Sequence, residues 1–380
     1  MLTFIIDYIP LVFELVQPTG EFSYGDPQNL TSASGPIVSG SVQLANFLVQ
    51  NQFIVAANTT NTPLASAGIS GVFGLGFPFG NASQIVSQLV QRMIPKNTSP
   101  NGITDILLSM LPLEAPMLPR LSLSGQLDQP LFTMTLQRTL DEFGGNVGQL
   151  TIGDLPNNLS ESSLTNVPVR LYSPDEGGIP GPSVNPSATF PLNWEVPLDA
   201  VLLNGEQVPL PSNLPGIYTA LIDSGSNSLA GPEDVVSFIY SAIASSGSSS
   251  NDDIPEIDCS KPVNLTFVFG GRGFPVDSRD FLGFQKSSTV CKASTLKVAP
   301  APTQGRLVSW VLGTPFFKSN LIAFYYGDLM QPSVDPPRIG FLSTVPENSN
   351  EAYASDIASA SQAGQFFGKL PEITSKRFNG

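Results

Sequence analysis

The sequence predicts a mainly β protein, and three observations carry that prediction. Most periodic segments alternate apolar and polar residues at every second position, the repeat of a half-buried strand. Gly and Pro, 34 and 35 of 380 residues, punctuate those segments as turns, yet together stay below the roughly 25–30% that marks disorder. Only three stretches carry a helical repeat instead. With 41% apolar residues the chain has material for a sizeable core, and its length suits two domains of about 100–200 residues each.

Taken in order, residues 1–20 are apolar but do not read as a signal peptide. They lack a basic start, Asp7 and Glu14 interrupt the run, Pro10 splits it, and no small-residue cleavage site follows. They read as β-like sequence or as a mis-started chain. Strands are expected at Ser41–Val49, Gln52–Ala57, Leu131–Leu136, Gly148–Gly153, Ile217–Ile222, Leu265–Phe269, Leu307–Leu312 and Leu321–Tyr326. Asn204-Gly205 is a two-residue hairpin signal, because both residue types accept the positive φ of a type I′ turn. Helices are expected at Ala82–Ile94, at Glu233–Ala244, whose first turn is acidic, and more weakly at Ile103–Leu111. Pro174–Ser187 and Ser245–Asp253 read as loops, and the polar tail from about Pro346 as disordered. A boundary between two β-rich halves falls near 155–190.

Charge and composition exclude several function classes. The net charge of −14 opposes a nucleic-acid backbone or an anionic membrane surface. Histidine is absent, so no Ser-His-Asp triad, Cys-His dyad or His-based zinc site exists within the chain. Acid–base chemistry falls to carboxylates, Lys or Tyr. Cys259 and Cys291 are too few for a zinc knuckle; they form one disulfide in an oxidising compartment or remain two buried thiols. No run of 18 or more apolar residues suggests a membrane-spanning helix. Six N-x-[S/T] sequons, at Asn29, Asn58, Asn81, Asn97, Asn158 and Asn264, are a weak secretory signal, since about four are expected by chance.

Two phrases echo each other. Ile69–Phe77 contains Val72-Phe73-Gly74, and Val308–Phe316 contains Val311-Leu312-Gly313. Each runs an apolar strand into a glycine and a turn, which hints at duplicated halves. A third phrase, Ala220-Leu221-Ile222-Asp223-Ser224-Gly225-Ser226, drives an apolar strand straight into a carboxylate flanked by hydroxyls, and a helix follows. A plain strand-to-helix turn accounts for it structurally. A carboxylate held at a fixed strand end accounts for it chemically.

Together these phrases resemble a pepsin-like aspartic endopeptidase of the fungal type. Phe22-Ser23-Tyr24-Gly25-Asp26 resembles the flap strand, the two apolar-apolar-Gly phrases resemble the motifs backing the catalytic loops, and Asp223-Ser224-Gly225-Ser226 resembles the second catalytic loop. Trp194 through Gly205 resembles the strand pair leading into that loop, and Cys259 and Cys291 the disulfide pair of the second lobe. The resemblance implies a bilobal double β-barrel with a cleft between lobes. It divides the chain into an N-terminal lobe (1–155), an interlobe strand and loop (156–190), a C-terminal catalytic lobe (191–346) and a tail (347–380). It implies a water activated between two Asp carboxylates that share one proton. Asp223 is then one carboxylate, Ser226 bonds its outer oxygen, Ser224 bonds across to the opposite loop, and Tyr24 with Gly25 closes the flap over substrate. No cofactor or metal is needed. The expected partner is a protein or peptide substrate, with no nucleic acid or membrane, and the protein a monomer that is secreted or vacuolar.

The sequence departs from the pattern at one decisive place. A first-lobe Asp-[Thr/Ser]-Gly loop is absent; Asp7 follows an apolar run but precedes Tyr8-Ile9, which makes no tight hydroxyl-bearing turn. Val311 follows Asp223 by 88 residues, and the same offset back from Val72 falls before Met1. The expectation is therefore an N-terminally truncated protease with an incomplete first lobe. The alternative is a catalytically inactive pepsin-like binding protein. Asn227 also stands where the family usually has Ser.

Overall fold

A computed structural model describes residues 14–24, 31–62, 64, 69–79, 94–137, 148–212, 217–245, 254–284, 290–299 and 308–363. Among these, strands dominate and helices are few. The first sheet is antiparallel: β1 (Glu14–Tyr24), β2 (Thr31–Leu44) and β3 (Phe47–Val55), with Thr59–Thr60 added to β2. The strand expected over Ser41–Val49 is in fact two arms of a hairpin. Leu44 pairs with Phe47, and Ala45 takes the reversal at φ 51°. Alternation continues on both arms of so tight a turn, so periodicity alone does not show where the chain reverses.

Two helices follow. α1 (Pro100–Glu114) starts at an N-cap Ser99, whose hydroxyl accepts from Gly102 N–H at 3.1 Å, with Pro100 at its first position. It is longer than the expected Ile103–Leu111 because that cap and proline set its start one turn earlier. α2 (Met117–Leu123) packs Met117, Leu118 and Leu121 into the core. The expected helix at Ala82–Ile94 lies outside the described residues but for Ile94.

The next strands are β4 (Leu131–Thr135), β5 (Gln149–Ile152), β6 (Thr165–Pro168), β7 (Glu195–Pro197), β8 (Ala200–Leu203), β9 (Thr219–Ile222) and β10 (Leu229–Gly231). The Asn204-Gly205 hairpin forms as expected, with φ 52° and 87°. α3 (Glu233–Ile243) buries Val235, Val236, Ile239 and Ile243 on one face. Asp234 in its first turn is held below the usual carboxylate range, mainly by the backbone N–H of Ser212.

The remaining elements are β11 (Glu256–Asp258), β12 (Leu265–Phe269), β13 (Arg272–Val276), α4 (Ser278–Phe281), β14 (Gly283–Phe284), β15 (Val290–Lys292), β16 (Leu296–Val298), β17 (Trp310–Leu312), α5 (Thr314–Ser319), β18 (Asn320–Tyr325), β19 (Arg338–Ser343) and α6 (Ser349–Ala363). Residues 349–363 thus form a helix where the sequence reading expects a disordered tail. The helix is polar, but it docks: Tyr353 is buried, and Asp356 pairs with Arg279 at 3.0 Å. Tertiary contacts supply what its composition lacks.

Two sheets position the candidate site. One runs β7-β9-β17-β10-β16; the other, β5-β4-β18-β19-β6, pairs strands before residue 155 with strands after residue 319. An aromatic cluster packs at this junction. Phe132 stacks on Phe324 with ring centroids 4.6 Å apart, and Trp194 contacts Phe77, Phe324 and Tyr326 at 4.1, 5.0 and 5.1 Å. Each such side chain, fully buried, contributes about 1.5–3 kcal/mol. Cys259, just past β11, and Cys291 in β15 form a disulfide, which closes the alternative of two free thiols.

Candidate active site

β9 carries the candidate carboxylate. Thr219, Ala220 and Ile222 are buried, and the strand is paired on both sides, antiparallel to β7 and parallel to β17. A strand held by two neighbours ends at a fixed point, and Asp223 is the first residue past that end. Its N–H donates to Leu312 O at 3.0 Å, one more rung of the β17 ladder.

The chain then turns sharply. Gly225 N–H donates to Asp223 Oδ1 at 2.8 Å and Ser226 N–H to Asp223 O at 3.1 Å, an Asx-type turn that orients the carboxylate. The chain re-enters the same sheet as β10, on the other side of β17. The loop 223–228 therefore arches over the end of β17. Gly313 N–H donates to Ser228 O at 2.9 Å, and Thr314 N–H to Ser226 O at 2.8 Å. A Cβ on Gly313 would lie 2.3 Å from Ser226 O and 2.6 Å from Ser228 O. That contact explains why the apolar phrase ends in glycine: the loop backbone rests where a side chain would be.

Asp223 and Ser224 are half-buried, and Gly225 is exposed. Ser226 supports the loop differently from the expectation. Its hydroxyl faces Ser228, accepting from Ser228 N–H and lying 3.3 Å from Ser228 Oγ, rather than reaching the outer oxygen of Asp223. The turn at Asn227 brings the Ser228 N–H onto that hydroxyl.

Behind the loop lies a group that sequence reasoning missed. Trp194 O accepts from Ile222 N–H at 2.9 Å, and the neighbouring Glu195 is fully buried. Arg170 Nη1 donates to Glu195 Oε1 at 3.2 Å, Tyr172 Oη donates to Glu195 Oε2, and Arg170 Nη2 donates to Glu176 at 2.7 Å. The Ser173 backbone N–H, then its hydroxyl and Arg170, hold Glu176 below the usual carboxylate range. The network ties the segment before β7 to the strand that pairs with β9. The only sequence signal was a buried-type strand containing one Glu.

The two echoed phrases are not equivalent. Leu75 O accepts from both Trp194 Nε1 and Tyr326 Oη, each at 2.9 Å, which fixes the first phrase to the aromatic cluster. Burial alone pushes the Tyr326 hydroxyl well up, so it stays a donor. A Cβ on Gly74 would meet nothing within 4 Å among the described residues, whereas Gly313 lies beneath the Asp223 loop.

Tyr24 is the last residue of β1, in register with Thr31. Its side chain, Gly25, Asp26 and Asp7 lie outside the described residues, so no distance relates them to Asp223. Among the described residues, no group of Cys, Asp and Glu is arranged to hold a metal ion.

At this site an Asp-Ser-Gly loop arches over the end of an apolar-apolar-Gly strand. The chain matches the family model for eukaryotic aspartyl protease over residues 17–331. It belongs to that family. It is 25% identical over 332 residues to major aspartyl peptidase 1 of Cryptococcus neoformans var. grubii, covering 84% of this chain and 56% of that one. It is 25% identical over 306 residues to rhizopuspepsin-1 of Rhizopus niveus, covering 80% and 61%. With a probable aspartic-type endopeptidase of Arthroderma otae it shares 24% over 343 residues, covering 89% and 73%. The chain thus spans about three fifths of the length of the first two relatives.

Proposed function

We propose that Asp223 is one of two carboxylates with which an aspartic endopeptidase cleaves protein or peptide substrates at acid pH. The supporting observation is the loop itself: Asp223 is fixed at a strand end by Leu312 O and oriented by Gly225 N–H, inside a protein of the eukaryotic aspartyl protease family. In this reading a water sits between Asp223 and a partner carboxylate. The ionised member takes a proton from the water, and the protonated member donates one to the scissile carbonyl, giving a tetrahedral diol that collapses to acid and amine. Ser224 and Gly225 shape the loop, and Tyr24 with Gly25 forms the flap. The lobes divide as 1–155 and 191–346, with 156–190 between them. The protein acts as a monomer, in the medium or a vacuole. Sequons at Asn58, Asn97 and Asn158 are exposed, which suits passage through a secretory route.

One observation favours a second reading. Asp223-Ser224-Gly225 is the sequence's single Asp-[Ser/Thr]-Gly, so within these 380 residues the chemistry has one loop where it needs two. The chain by itself is then a pepsin-like binding protein that holds peptide without cutting it. The test is an assay on denatured protein between about pH 3 and pH 5, the range in which a carboxylate dyad shares one proton. We expect no cleavage by this chain. We expect cleavage when a strand-led Asp-Thr-Gly-Ser segment is fused to its N-terminus, and loss of that cleavage in Asp223→Asn. Cleavage by the unfused chain that Asp7→Asn abolishes would make Asp7 the second carboxylate. Cleavage indifferent to Asp223→Asn would remove Asp223 from the chemistry.

A further inference from the structure

α6 lies past residue 331, where the family match ends, yet it is built into the second half of the molecule. Tyr353 is 1% exposed, and its Oη lies 3.9 Å from Cys291 Sγ. Cys259 and Cys291 are themselves 1% exposed. One turn further along, Asp356 reaches Arg279, whose guanidinium is buried between two carboxylates: Asp356 Oδ2 at 3.0 Å, and Asp277 through Nε at 3.0 Å and Nη2 at 2.8 Å. Ile357 adds an apolar contact with the core. The Asp277 half of this pairing is local to α4, two residues from Arg279. The Asp356 half is the part that belongs to α6.

We propose that α6 is a cover over the Cys259–Cys291 bond, latched by Asp356 on Arg279 and seated by Tyr353, so that a thiol reaches the disulfide only when α6 lifts. Reduction requires a thiolate to approach one sulfur and displace the other. With a dithiol reductant the balance is complete. One thiolate attacks a sulfur and forms a mixed disulfide, releasing the other cysteine as thiolate. The reductant's second thiolate then closes its own ring and frees the second cysteine. Two electrons pass to the protein, two protons follow, and the reductant leaves as a cyclic disulfide. The Tyr353 hydroxyl stands beside Cys291 Sγ, on one side from which an attacking thiolate would come.

Because α6 is polar, its opening should cost less than global unfolding, and reduction follows that local opening. The inference does not depend on which residues cleave peptides. The test is the rate at which dithiothreitol reduces the full chain under native conditions, read by alkylation and mass. Asp356→Ala removes the latch and Tyr353→Ala the seat; each should reduce at least about tenfold faster than the parent. Tyr353→Phe keeps the buried ring but removes the hydroxyl beside Cys291 Sγ, and its rate should fall between those of the parent and Tyr353→Ala. Val236→Ala weakens α3, which is no part of the cover, and should leave the rate near the parent's. If Asp356→Ala and Tyr353→Ala reduce at the parent rate, α6 covers nothing. If Val236→Ala accelerates as much as they do, reduction runs through global unfolding and the proposal falls. Should Tyr353→Ala fail to fold, Asp356→Ala decides, because its carboxylate lies at the partly exposed end of the latch.

Discussion

Gly74 and Gly313 occupy matching places in two similar phrases, and residue-scale geometry separates them. A methyl group at 313 would drive into two loop carbonyls, Ser226 O at 2.3 Å and Ser228 O at 2.6 Å, neither of which moves without breaking its bond to the β17 end. Gly313→Ala should cost about 1–3 kcal/mol, the range for a substitution that forces backbone apart. Gly74→Ala meets open space among the described residues and should stay within about 0.5 kcal/mol of the parent. Denaturant midpoints of the two variants check this. Equal losses would mean that Gly74 also lies beneath a loop. The sequence shows two glycines after two apolar pairs; what packs on each depends on residues far away in the chain, which no local pattern encodes.

At the scale of elements, Arg120 and Gln52 fasten the sheet β1-β2-β3 to the helices, Gln52 Nε2 donating to Ala115 O at 3.2 Å. Arg120 in α2 donates to Gln50 O at 3.1 Å, Asn51 O at 3.2 Å and Gln52 Oε1 at 3.2 Å on β3, and to Pro112 O at 3.3 Å in α1. Arg120→Met keeps the apolar stem and leaves those acceptors bare, so it should destabilise by about 1–3 kcal/mol and speed amide exchange in β3. Unchanged exchange there would mean that the sheet is held without Arg120. Glu114, at the end of α1, has a buried Oε2 with no hydrogen-bond partner among the described residues, and burial raises its pKa more than Arg120 lowers it. The sign follows from linkage. The folded state holds this proton more tightly than the unfolded chain, whose Glu titrates near ~4.3. Below that pH the group makes no difference; as pH rises through it, the unfolded chain ionises first and stability falls. Glu114→Gln should therefore leave the thermal midpoint unchanged near about pH 3.5 and raise it near neutrality. No change at acid pH with a loss at neutral pH would show attraction to Arg120 dominating. Elements with strong start signals were legible in the sequence: Glu233–Ala244 reads as a helix and forms α3 as Glu233–Ile243. Elements whose existence rests on distant partners were not, as with α6, which stands on Tyr353 and Asp356 rather than on its own amphipathicity.

For the whole molecule, the candidate site was legible as far as one strand and one loop. Asp223 follows an apolar strand into Ser-Gly-Ser, and that order survives in three dimensions because β9 and β17 are paired through Leu221–Val311 and Ile222–Leu312. The Glu195–Arg170–Tyr172 network behind it was not legible, because a buried ion pair between residues 25 positions apart leaves no periodic trace. The same long-range logic bears on how the molecule unfolds. Strands before residue 155 share a sheet with strands after residue 319, and Leu75 O takes hydrogen bonds from Trp194 and Tyr326. Those ties cross the chain's midpoint, so the described halves should lose structure together. The two tryptophans allow a direct test. Trp194 sits in the junction cluster, while Trp310 is fully buried in β17, against Phe267. In Trp194→Phe the remaining fluorescence reports the second half; in Trp310→Phe it reports the junction. Within each variant, the fluorescence and far-ultraviolet dichroism transitions in urea should coincide, the mark of a single cooperative unit. A junction signal from Trp194 that is lost at lower urea than the bulk of the dichroism would show the shared sheet parting first.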